Sequence, residues 1–554
     1  MDLVLVGLPG SGKSVVGKRL AHRHGADFID LDERIEHAEG RSIATIFEED
    51  GEAVFRSMER QAVEALGFAE PAPEVRRIIA TGGGAVVDPR NRWLLYRGRM
   101  TVWLDGRPEV LAQRLRRSPN VRPLVTGRDP IGTIRDLAAR RARFYAAADL
   151  RVTGVREVSQ VVELVERHLA DGGAVRPGEA TTLLRAATSI GRLLITDGGA
   201  AAGVDEALRR LEARRAILVS EPGAFGAVGS AMAEALGAAG WEIETVILPE
   251  GEAAKRLEVL ASAASQLAQL HVERDEPVVA IGGGALGDAA GFLAATYLRG
   301  IPVVHVPTTL VAQIDSSIGG KTAVDLPEGK NLVGAFHQPA AIVIDTGATQ
   351  TLPERQRRAA LGEAVKMAVL GDERLFTLLE GDGAAIARGE ATTYDRGVVA
   401  ELVERSAWAK VEVVMNDEKE RTSSGTGRIS LNLGHSLGHA VEAAAGYGGL
   451  LHGEAVAYGL RAAGRIGLAM GVTPPERAER VGRLLDELDL ARDPLPYDLE
   501  SVLAHMATDK KHSGGRLRWV LPTASGVEIR ADVPDEVVRE AANSILATRT
   551  GSSR

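Results

Sequence analysis

The chain has 554 residues, of which 45% are hydrophobic and 25% are charged, and its formal net charge is −9 at pH 7. This length allows about three to five domains, and the negative charge argues against a nucleic-acid-binding protein. The absence of cysteine excludes disulfides, zinc–thiolate sites and cysteine nucleophiles. There is no apolar run of membrane-spanning length and no signal-peptide pattern at the N-terminus, so we expect a cytoplasmic enzyme without a membrane partner.

Residues 2–170 alternate β-rich runs, such as "LVLVG" and "MTVWLDG", with helical patterns. This alternation predicts an α/β domain with a parallel sheet. "DGGAVRPGEATT" predicts a linker at 171–182. A second α/β region is predicted at 183–350, followed by a mainly helical region at 351–545. A frayed tail is predicted at 546–554.

The first motif is "GLPGSGKS", from Gly7 to Ser14, which follows a predicted strand and opens a predicted helix. It matches the phosphate-binding loop pattern G-x-x-x-x-G-K-[ST]. Backbone N–H groups would surround the phosphates, Lys13 would reach the β- and γ-phosphates, and Ser14 would bind Mg²⁺. A glycine-rich turn that binds nothing is the alternative, and the spacing and context oppose it. The predicted nucleotide contacts are Gly10, Ser11, Gly12, Lys13, Ser14 and Val15.

Further candidates in this module concern the phosphoryl acceptor. "FIDLDERI" places Asp30 and Asp32 two residues apart at a strand end, and the two-residue period of a strand predicts that both lie on one face. Each arginine taken singly is more simply a solvated surface residue. Taken together they suit a small acceptor with a carboxylate and several hydroxyls. The candidates are Arg56, Gly82, Gly83, Gly84, Arg122 and Arg141.

These motifs resemble the shikimate kinase family over residues 1–170. The resemblance implies that Asp30 lies near Mg²⁺ and that Asp32 binds and activates a shikimate hydroxyl. It also implies that Arg56 and Arg141 hold the carboxylate beside the glycine triplet. Arg122 would stabilise the transferring phosphoryl group from the lid, and Arg117 would contact the adenine side. The lid segment "RRSPNVRPLVTG" is shorter than usual.

The second module contains a glycine-rich loop, with Gly282, Gly284 and Gly287 in "VVAIGGGALGDAAG". The acidic residue that a standard Rossmann fold has about 20 positions later is missing. A different nucleotide-binding arrangement is therefore expected. The following segment, "DSSIGGKTAVDLPEGKN", carries Asp315, Lys321, Lys330 and Asn331. Basic side chains beside a glycine-rich backbone suit a phosphorylated, sugar-like substrate.

Metal-ligand candidates lie in the predicted helical region. They are Glu363, His435, His439 and His452, and a single such histidine would more simply be structural. Four of these groups favour a His/carboxylate metal site with an open position. The pair His435 and His439 has the i,i+4 spacing that allows both to bind one metal or to take separate roles.

In this module the chain resembles the 3-dehydroquinate synthase family over residues 183–545, through "GGGALGDAAGFLAATYLRG", "DSSIGGKTAVD", "GKNLVGAFHQP", "LNLGHSLGHA" and "LHGEA". The resemblance implies Glu363, His435 and His452 as ligands of Zn²⁺ or Co²⁺, with His439 handling protons in the substrate pocket. It implies further catalytic roles for Lys321, Lys366, Lys410 and Arg428. The implied substrate-binding residues are Arg299, Asp315, Lys330, Asn331, Asn432 and Lys510, with the neighbouring Lys511 as the alternative to Lys510.

The same resemblance implies NAD as a cofactor that is not consumed. Its implied contacts are Glu252, Lys255, Gly283, Gly284, Ala285, Asp288, Thr308, Thr309, Lys321 and Lys330. The adenosine-side segment usually reads Asp-x-Asn but is "SEPG" here, and Glu221 is its candidate substitute. The extra residues in "RTSSGTG" predict a longer hairpin tip between Lys410 and Arg428.

Together the two resemblances predict a nucleoside-monophosphate-kinase-like P-loop domain followed by a dehydroquinate-synthase-like fold, with an α/β nucleotide-binding part and a helical metal-binding part. The predicted function is a bifunctional enzyme of the shikimate pathway that acts on shikimate with Mg·ATP and on 3-deoxy-D-arabino-heptulosonate 7-phosphate. A homodimer through the synthase module is expected from the resemblance alone. Related cyclases acting on other sugar phosphates, metal-dependent polyol dehydrogenases, and a degenerate scaffolding module are the alternatives.

Overall fold

The first strand is buried along its whole length, as expected of the central strand of a parallel sheet. A computed structural model describes residues 1–67, 74–117, 129–154, 157–170, 181–418, 427–446, 449–512 and 517–547. The chain divides into two compact units. Unit 1 comprises Met1–Ala187 and Arg192–Gly199, and unit 2 comprises Thr188–Gly191 and Ala200–Arg554.

Unit 1 is an α/β unit. Its strands are β1 (Asp2–Val6), β2 (Asp27–Asp30), β3 (Arg77–Ala80), β4 (Met100–Asp105), β5 (Leu150–Thr153), β6 (Thr181–Thr188) and β7 (Gly191–Asp197). Its helices are α1 (Lys13–His24), α2 (Leu31–Glu39), α3 (Ile43–Glu49), α4 (Glu52–Glu64), α5 (Pro89–Tyr96), α6 (Pro108–Arg117), α7 (Pro130–Tyr145) and α8 (Val158–Ala170).

The first five strands form a parallel sheet in the order β2-β3-β1-β4-β5. Apolar side chains of β1, β3 and β4 pack against α1 and α8, with Leu3, Leu5 and Val102 at the centre of this core. Because the strands are parallel, their carboxyl ends share one edge, which is where ligands bind in such sheets. The parallel sheet and the strand–helix alternation predicted over residues 2–170 are confirmed for the described residues.

Unit 2 joins an α/β part to a helical part. Its strands are β8 (Arg215–Ser220), β9 (Glu242–Ile247), β10 (Val278–Gly282), β11 (Val303–Pro307), β12 (Lys321–Leu326), β13 (Gly329–Phe336), β14 (Ala341–Asp345), β15 (Trp519–Pro522) and β16 (Val527–Arg530). The helices of the α/β part are α9 (Ala200–Arg210), α10 (Pro222–Ala224), α11 (Ser230–Ala238), α12 (Leu257–Gln269) and α13 (Gly284–Thr296). The helices of the helical part are α14 (Glu354–Val369), α15 (Glu373–Arg388), α16 (Ala391–Asp395), α17 (Val398–Asn416), α18 (His435–Ala444), α19 (His452–Ala469), α20 (Pro475–Glu487), α21 (Leu499–His512) and α22 (Asp535–Asn543).

The sheet of the α/β part has seven strands in the order β6-β7-β14-β11-β10-β8-β9, with β10 between β11 and β8. The neighbouring pairs from β14 to β9 are parallel. β12 and β13 form an antiparallel hairpin, as do β15 and β16. One core lies between this sheet and helices α12 and α13, and another lies among α18, α19, α21 and α22. None of the described helices has both the length and the apolar character needed to cross a membrane.

Two strands were not predicted from the sequence. β6 and β7 are the first two strands of the seven-stranded sheet, in agreement with the region assigned to the second module. Residues 181–187 and 192–199 are nevertheless grouped with unit 1 by their contacts. The predicted boundary at 171–182 falls largely on residues outside the described part of the chain and stays a prediction. The predicted hairpin tip at "RTSSGTG" also lies outside the described residues.

His305 on β11 is a buried titratable group whose protonation opposes folding. Its ring faces α13, where a methyl group at Gly287 or Gly291 would lie 3.6–3.7 Å from it. Burial, assisted by the charge of His337, lowers the pKa of His305 to about 4. The unfolded chain, with a pKa of about 6.5, therefore binds more protons between these two values.

We predict that unit 2 keeps the full contribution of neutral His305 above pH 6.5 and loses it as the pH falls toward 4. At pH 5 the loss is about 2 kcal/mol. Urea unfolding at pH 7.5 and pH 5 measures it. The decrease should be smaller in His305→Asn than in the parent, while the exposed control His271→Asn should behave as the parent does. An equal decrease in all three proteins contradicts the prediction.

Candidate active sites

The loop after β1 is a tight turn that leads into α1. Gly7, Gly10 and Gly12 have φ values of 144°, 80° and 95°, a range that favours glycine. A Cβ on Gly7 would lie 2.6 Å from the carbonyl oxygen of Leu104 on β4. Glycine at these positions therefore lets the loop turn back over the sheet edge, with the N-terminus of α1 available to an anion.

Lys13 and Ser14 begin α1 and carry the polar groups of this loop. Lys13 is buried, and its Nζ donates to the carbonyl oxygens of Gly7 at 2.8 Å and Leu8 at 3.1 Å. Ser14 Oγ donates to Asp30 Oδ2 at 2.5 Å. Burial raises the pKa of Asp30, and the Ser14 hydrogen bond partly opposes this. A hydroxyl and a carboxylate in contact beside a phosphate-binding loop are suitable oxygen ligands for Mg²⁺.

The prediction that Asp30 and Asp32 lie on one face of a strand is wrong. β2 ends at Asp30, and Asp32 lies in the first turn of α2. Asp30 is the N-cap of that helix, since its Oδ1 accepts from the backbone N–H groups of Asp32 and Glu33. This capping interaction ends the strand. The Asp32 carboxylate still reaches the glycine triplet, where a Cβ on Gly82 would lie 2.8 Å from Asp32 Oδ1.

Side chains from three helices meet at Gly82, Gly83 and Gly84. Arg56 of α4 lies so close that a Cβ on Gly84 would be 2.6 Å from its Nη1. Arg141 of α7 is buried, and its Nη1 donates to the carbonyl oxygen of Gly83 at 2.7 Å. The structure thus brings together Arg56, Arg141 and the glycine triplet, which the sequence predicted to bind the phosphoryl acceptor. Arg122 lies outside the described residues, and Arg117 ends α6 with its side chain outside the description.

Sequence reasoning missed two residues of this pocket, Glu59 and Tyr145. Glu59 is buried, pairs with Arg56 Nη1 at 2.7 Å, and lies beside Gly82. Burial raises the pKa of Glu59, although Arg56 opposes the shift. Tyr145 Oη donates to the carbonyl oxygen of Gly83 at 2.5 Å. The i,i+3 spacing of Arg56 and Glu59 could have indicated this ion pair from the sequence, because residues at that spacing share a helix face.

In unit 2 the glycine-rich loop follows β10 and opens α13. A Cβ on Gly284 would lie 2.7 Å from Ser316 Oγ, and one on Gly283 would lie 3.2 Å from Thr309. Ser316 Oγ is buried without a hydrogen-bond partner among the described residues. The loop therefore has a close backbone approach and an unsatisfied hydroxyl, both of which fit a nucleotide phosphate. Ala285 and Asp288 follow on α13, and Thr308 is buried after β11.

Glu221, in the divergent "SEPG" segment after β8, contacts two neighbouring loops. Its Oε2 accepts from the backbone N–H of Gly251 at 2.8 Å, and its Oε1 accepts from that of Gly283 at 3.4 Å. The carboxylate thus lies at the sheet edge between the loops that follow β9 and β10. Its role as a substitute for the usual aspartate stays a prediction.

Lysines and acidic groups alternate along the next part of the site. Lys255 Nζ lies 2.7 Å from Asp288 Oδ2 and also donates to Asn331 Oδ1. Lys330 Nζ lies 3.1 Å from Glu252 Oε1 and 2.9 Å from Glu442 Oε1. Asn331, on the β12–β13 hairpin, has a φ of 58°, and its Oδ1 accepts from Lys255 Nζ.

The candidate metal centre is built on a fully buried carboxylate, Glu363 of α14. Glu363 Oε1 lies 3.4 Å from His435 Nε2 and 3.2 Å from His452 Nε2. Neither Glu363 oxygen has a hydrogen bond of good geometry in the described part of the chain. Ligand atoms of His435, His439 and His452 all lie within 4.8 Å of one another. These donors fit a divalent cation held by imidazole and carboxylate.

The Nδ1 atoms of His435 and His452 each contact an oxygen atom of the protein. His435 Nδ1 lies 3.1 Å from the carbonyl oxygen of Leu433, and His452 Nδ1 lies 3.3 Å from Glu442 Oε2. Such contacts fix the ring orientation and direct Nε2 toward a metal. Glu442 was missed by sequence reasoning. Although burial opposes the shift, His452 and Lys330 lower the pKa of Glu442 to about 2.

Two buried lysines lie beside this centre with opposite pKa shifts. Lys366 Nζ lies 2.5 Å from Glu363 Oε2, and Asp315 and Glu363 raise its pKa despite burial. Lys410 Nζ lies 3.0 Å from Asp315 Oδ1, yet burial lowers its pKa. Burial would raise the pKa of Glu363, but the positive charge of Lys366 and the contacts with His435 and His452 hold it well below its usual range. Burial lowers the pKa of His435 well below its ordinary value, so this ring is neutral near pH 7.

Glycine contacts let the three ligand-bearing helices approach closely. A Cβ on Gly453 of α19 would lie 1.8 Å from the carbonyl oxygen of Ala359 on α14. A Cβ on Gly459 would lie 1.7 Å from the carbonyl oxygen of Gly434, which precedes α18. The backbones therefore touch where Glu363, His435 and His452 must converge.

Two adjoining cavities, of about 750 Å³ and 550 Å³, lie beside this centre. The first is lined by Lys330, His439 and the start of α13, and the second by Lys321, Lys410 and Arg428. Of the predicted substrate-binding residues whose side chains the structure describes, Arg299 and Asn432 line neither cavity. Arg299 is exposed with a φ of 68°, and Asn432 ends the 3-10 turn before α18. The side chains of Lys510 and Lys511 lie outside the description.

Comparisons with known proteins agree with this geometry. The shikimate kinase family profile matches residues 9–170, and those of the 3-dehydroquinate synthase N-terminal and C-terminal domains match residues 245–359 and 360–512. The 3-dehydroquinate synthase of Colwellia psychrerythraea is 44% identical over 54% of this chain and 83% of its own length. That of Nostoc punctiforme is 42% identical over 59% of this chain and 89% of its own.

Two solved cyclases share the fold of the second unit. The 2-epi-5-epi-valiolone synthase of Streptomyces hygroscopicus, solved with NAD⁺ and Zn²⁺, has 29% identity, a TM-score of 0.55, and coverage of 64% of this chain and 96% of its own. A 2-deoxy-scyllo-inosose synthase, solved with carbaglucose-6-phosphate, NAD⁺ and Co²⁺, has 26% identity, a TM-score of 0.56, and coverage of 66% and 100%.

Fold and site together define a P-loop kinase module fused to a nucleotide- and metal-dependent cyclase module. The chain belongs to the 3-dehydroquinate synthase family, with a shikimate kinase domain at its N-terminus.

We predict that Glu442→Gln weakens metal binding by about 10–100-fold, because the neutral amide holds His452 Nδ1 less strongly. Competition between the protein and a chromophoric zinc chelator measures the affinity. Glu479→Gln, which changes an exposed glutamate of α20, is the matched control and should bind as the parent does. Equal affinities for all three proteins would show that Glu442 does not support the centre.

We predict that Gly453→Ala destabilises unit 2 by at least about 2 kcal/mol, because the added methyl group must separate α14 from α19. Gly464→Ala on the same helix is the control. Its Cβ would meet only the Ala478 side chain, at 3.9 Å, so the helix preference of alanine should leave stability unchanged or slightly higher. Urea midpoints test both, and equal midpoints for the two variants would refute the packing argument.

Proposed function

We propose that the chain is a bifunctional enzyme of the shikimate pathway. The kinase module transfers the γ-phosphoryl group of ATP to the 3-hydroxyl of shikimate. The synthase module converts 3-deoxy-D-arabino-heptulosonate 7-phosphate to 3-dehydroquinate and phosphate. For the kinase the main support is the meeting of Ser14, Asp30, Asp32 and Arg141 at one sheet edge. For the synthase it is the Glu363–His435–His452 centre beside the glycine loop of α13.

In the kinase module each side chain has a role that its position supports. Lys13 and the loop N–H groups hold the ATP phosphates, and Ser14 and Asp30 hold Mg²⁺. Asp32 orients the acceptor hydroxyl and takes its proton. Arg56 and Arg141 bind the shikimate carboxylate, and Glu59 fixes Arg56 for this task through their ion pair. Arg122 is assigned to the transferring phosphoryl group by resemblance.

In the synthase module Glu363, His435 and His452 would hold the divalent cation, while Gly283, Gly284 and Asp288 would line the NAD site. When bound, NAD⁺ supplies a reversible oxidant and the cation a Lewis acid. Lys366 remains positively charged against Glu363 and Asp315 and stabilises anionic oxygen on the substrate. His439 faces the larger cavity and can move a proton. Lys321, Lys330 and Arg428 bind the phosphate and carboxylate groups.

The main alternative is a cyclase for another sugar phosphate. The solved cyclases share 26–29% identity with this chain, whereas the 3-dehydroquinate synthases named above share 42–44%. The fused shikimate kinase domain belongs to the same pathway as 3-dehydroquinate synthase, and this also favours the 3-dehydroquinate synthase activity. The homodimer and the cytoplasmic location expected from the sequence remain proposals.

The test uses the full chain loaded with Zn²⁺ and NAD⁺. The parent should release phosphate and 3-dehydroquinate from the heptulosonate phosphate, and should form ADP when shikimate and Mg·ATP are added. Lys13→Ala should lower the kinase turnover by at least about 100-fold and leave the synthase unchanged. Glu363→Gln should lower the synthase turnover and leave the kinase turnover unchanged. EDTA treatment should abolish the synthase activity until metal is restored.

Each module has its own contradicting outcome. Phosphate release without 3-dehydroquinate would point to a different cyclisation. ADP formation that does not respond to shikimate would remove the kinase assignment while leaving the synthase assignment intact.

A further inference from the structure

Two adjacent serines, Ser316 and Ser317, lie at the end of a short π-helical turn formed by Ala312–Ser316. Ser317 Oγ is buried and donates to the carbonyl oxygen of Ala312 at 2.7 Å. Ser316 Oγ is also buried, but it has no hydrogen-bond partner in the part of the chain that the structure describes. A buried hydroxyl in that state is unfavourable until a ligand completes its hydrogen bonding. One hydroxyl therefore stabilises the fold, and the other is available to a ligand.

The turn that carries Ser316 is held on two sides. Gln313 is fully buried, and its Nε2 donates to the carbonyl oxygen of Asp345 at 2.6 Å, at the end of β14. On the other side, Lys410 Nζ of α17 donates to the carbonyl oxygen of Asp315 at 2.7 Å. The backbone on the N-terminal side of Ser316 is thus fixed without a ligand. A hydroxyl positioned in this way loses little conformational freedom when a ligand binds.

The Ser316 hydroxyl lies against the first residue of α13. A Cβ on Gly284 would be 2.7 Å from Ser316 Oγ, so a side chain at position 284 would occupy the space in front of the hydroxyl. Gly283 is the N-cap of this helix. The first N–H groups of a helix have no acceptor within it, and their partial positive charge attracts anions. The hydroxyl and the start of α13 therefore offer hydrogen-bond donors to the same space.

An anion in this space is better assigned to the cofactor than to the substrate. Ser316 lines both cavities beside the metal centre, and the second cavity offers Lys321, Lys410 and Arg428 to the anionic groups of a sugar acid phosphate. The start of α13 offers backbone N–H groups and a hydroxyl instead. A dinucleotide diphosphate is bound by such donors where a glycine-rich loop opens a helix.

We propose that Ser316 is a cofactor-binding residue of the synthase module, and that its Oγ donates a hydrogen bond to the diphosphate of NAD. This inference rests on the proposed synthase function. Asp315, the preceding residue, also holds Lys410 Nζ at 3.0 Å through its carboxylate. One rigid turn therefore contacts the cofactor through Ser316 and the substrate side of the site through Asp315.

The experiment compares metal-loaded, full-length Ser316→Ala and Ser317→Ala with the parent. Titration with fluorescent NADH, followed by its displacement with NAD⁺ and with ADP-ribose, measures the affinities of the synthase site. Ser316→Ala should bind NAD⁺ and ADP-ribose about 10-fold more weakly, because a hydrogen bond to a charged group is lost. Ser317→Ala removes a hydroxyl from the neighbouring position, so it is the matched control and should bind both molecules as the parent does.

Thermal unfolding without cofactor gives the second comparison between the two variants. Ser316→Ala should melt at the temperature of the parent or slightly above it, because the lost hydroxyl has no partner among the described residues. Ser317→Ala loses the hydrogen bond to Ala312 and should melt about 2 °C lower. An equal decrease in both variants would show that the Ser316 hydroxyl already stabilises the fold, and it overturns the inference.

The binding data have three contradicting outcomes. Unchanged affinities in Ser316→Ala, or equal losses in both variants, overturn the inference. A loss for NAD⁺ without a loss for ADP-ribose, which has the diphosphate but lacks nicotinamide, overturns the assignment to the diphosphate. A parent that binds no NADH overturns the proposed synthase function and this inference with it, whereas a parent that binds NADH confines a negative result to Ser316.

Discussion

The arrangement of unit 2 depends on one buried negative charge. Glu363 is fully inaccessible to solvent, and a carboxylate in that position is tolerated only with positive charge around it. Lys366, His435 and His452 supply nearby partners from three helices, and a divalent cation would complete the set. The helices must come close enough for short side chains to meet, which explains the backbone contacts at Gly362, Gly453 and Gly459.

Much of both sites was predictable because ligand chemistry requires particular residues at short sequence spacing. The phosphate loop needs Gly7, Gly12 and Lys13 in one turn, and the cyclase motif needs His435 and His439 on one helix face. These local patterns identified both modules. The one local error concerned Asp32, where the alternation of a strand was extended past Asp30. The sequence "DLDE" contains an N-cap aspartate with a glutamate three residues later, and helix capping prevailed over strand continuation.

The remaining residues depend on contacts between distant parts of the chain. Glu442 looks like an ordinary solvated helix residue, and only folding brings it to Lys330, 112 positions away. Tyr145 reads as a generic aromatic residue, although its hydroxyl donates to the carbonyl oxygen of Gly83, 62 positions earlier. A backbone acceptor leaves no trace in residue type, so a single sequence cannot reveal such a pair.

The sequence distance between Glu363 and His452 also has a consequence for synthesis on the ribosome. His452, whose Nε2 lies 3.2 Å from Glu363 Oε1, follows it by 89 positions. At about 5–20 residues per second, the ribosome needs roughly 4–18 s to proceed from one to the other. During that interval the Glu363 carboxylate lacks this partner. The order of translation thus delays completion of the candidate metal centre until α19 has been made.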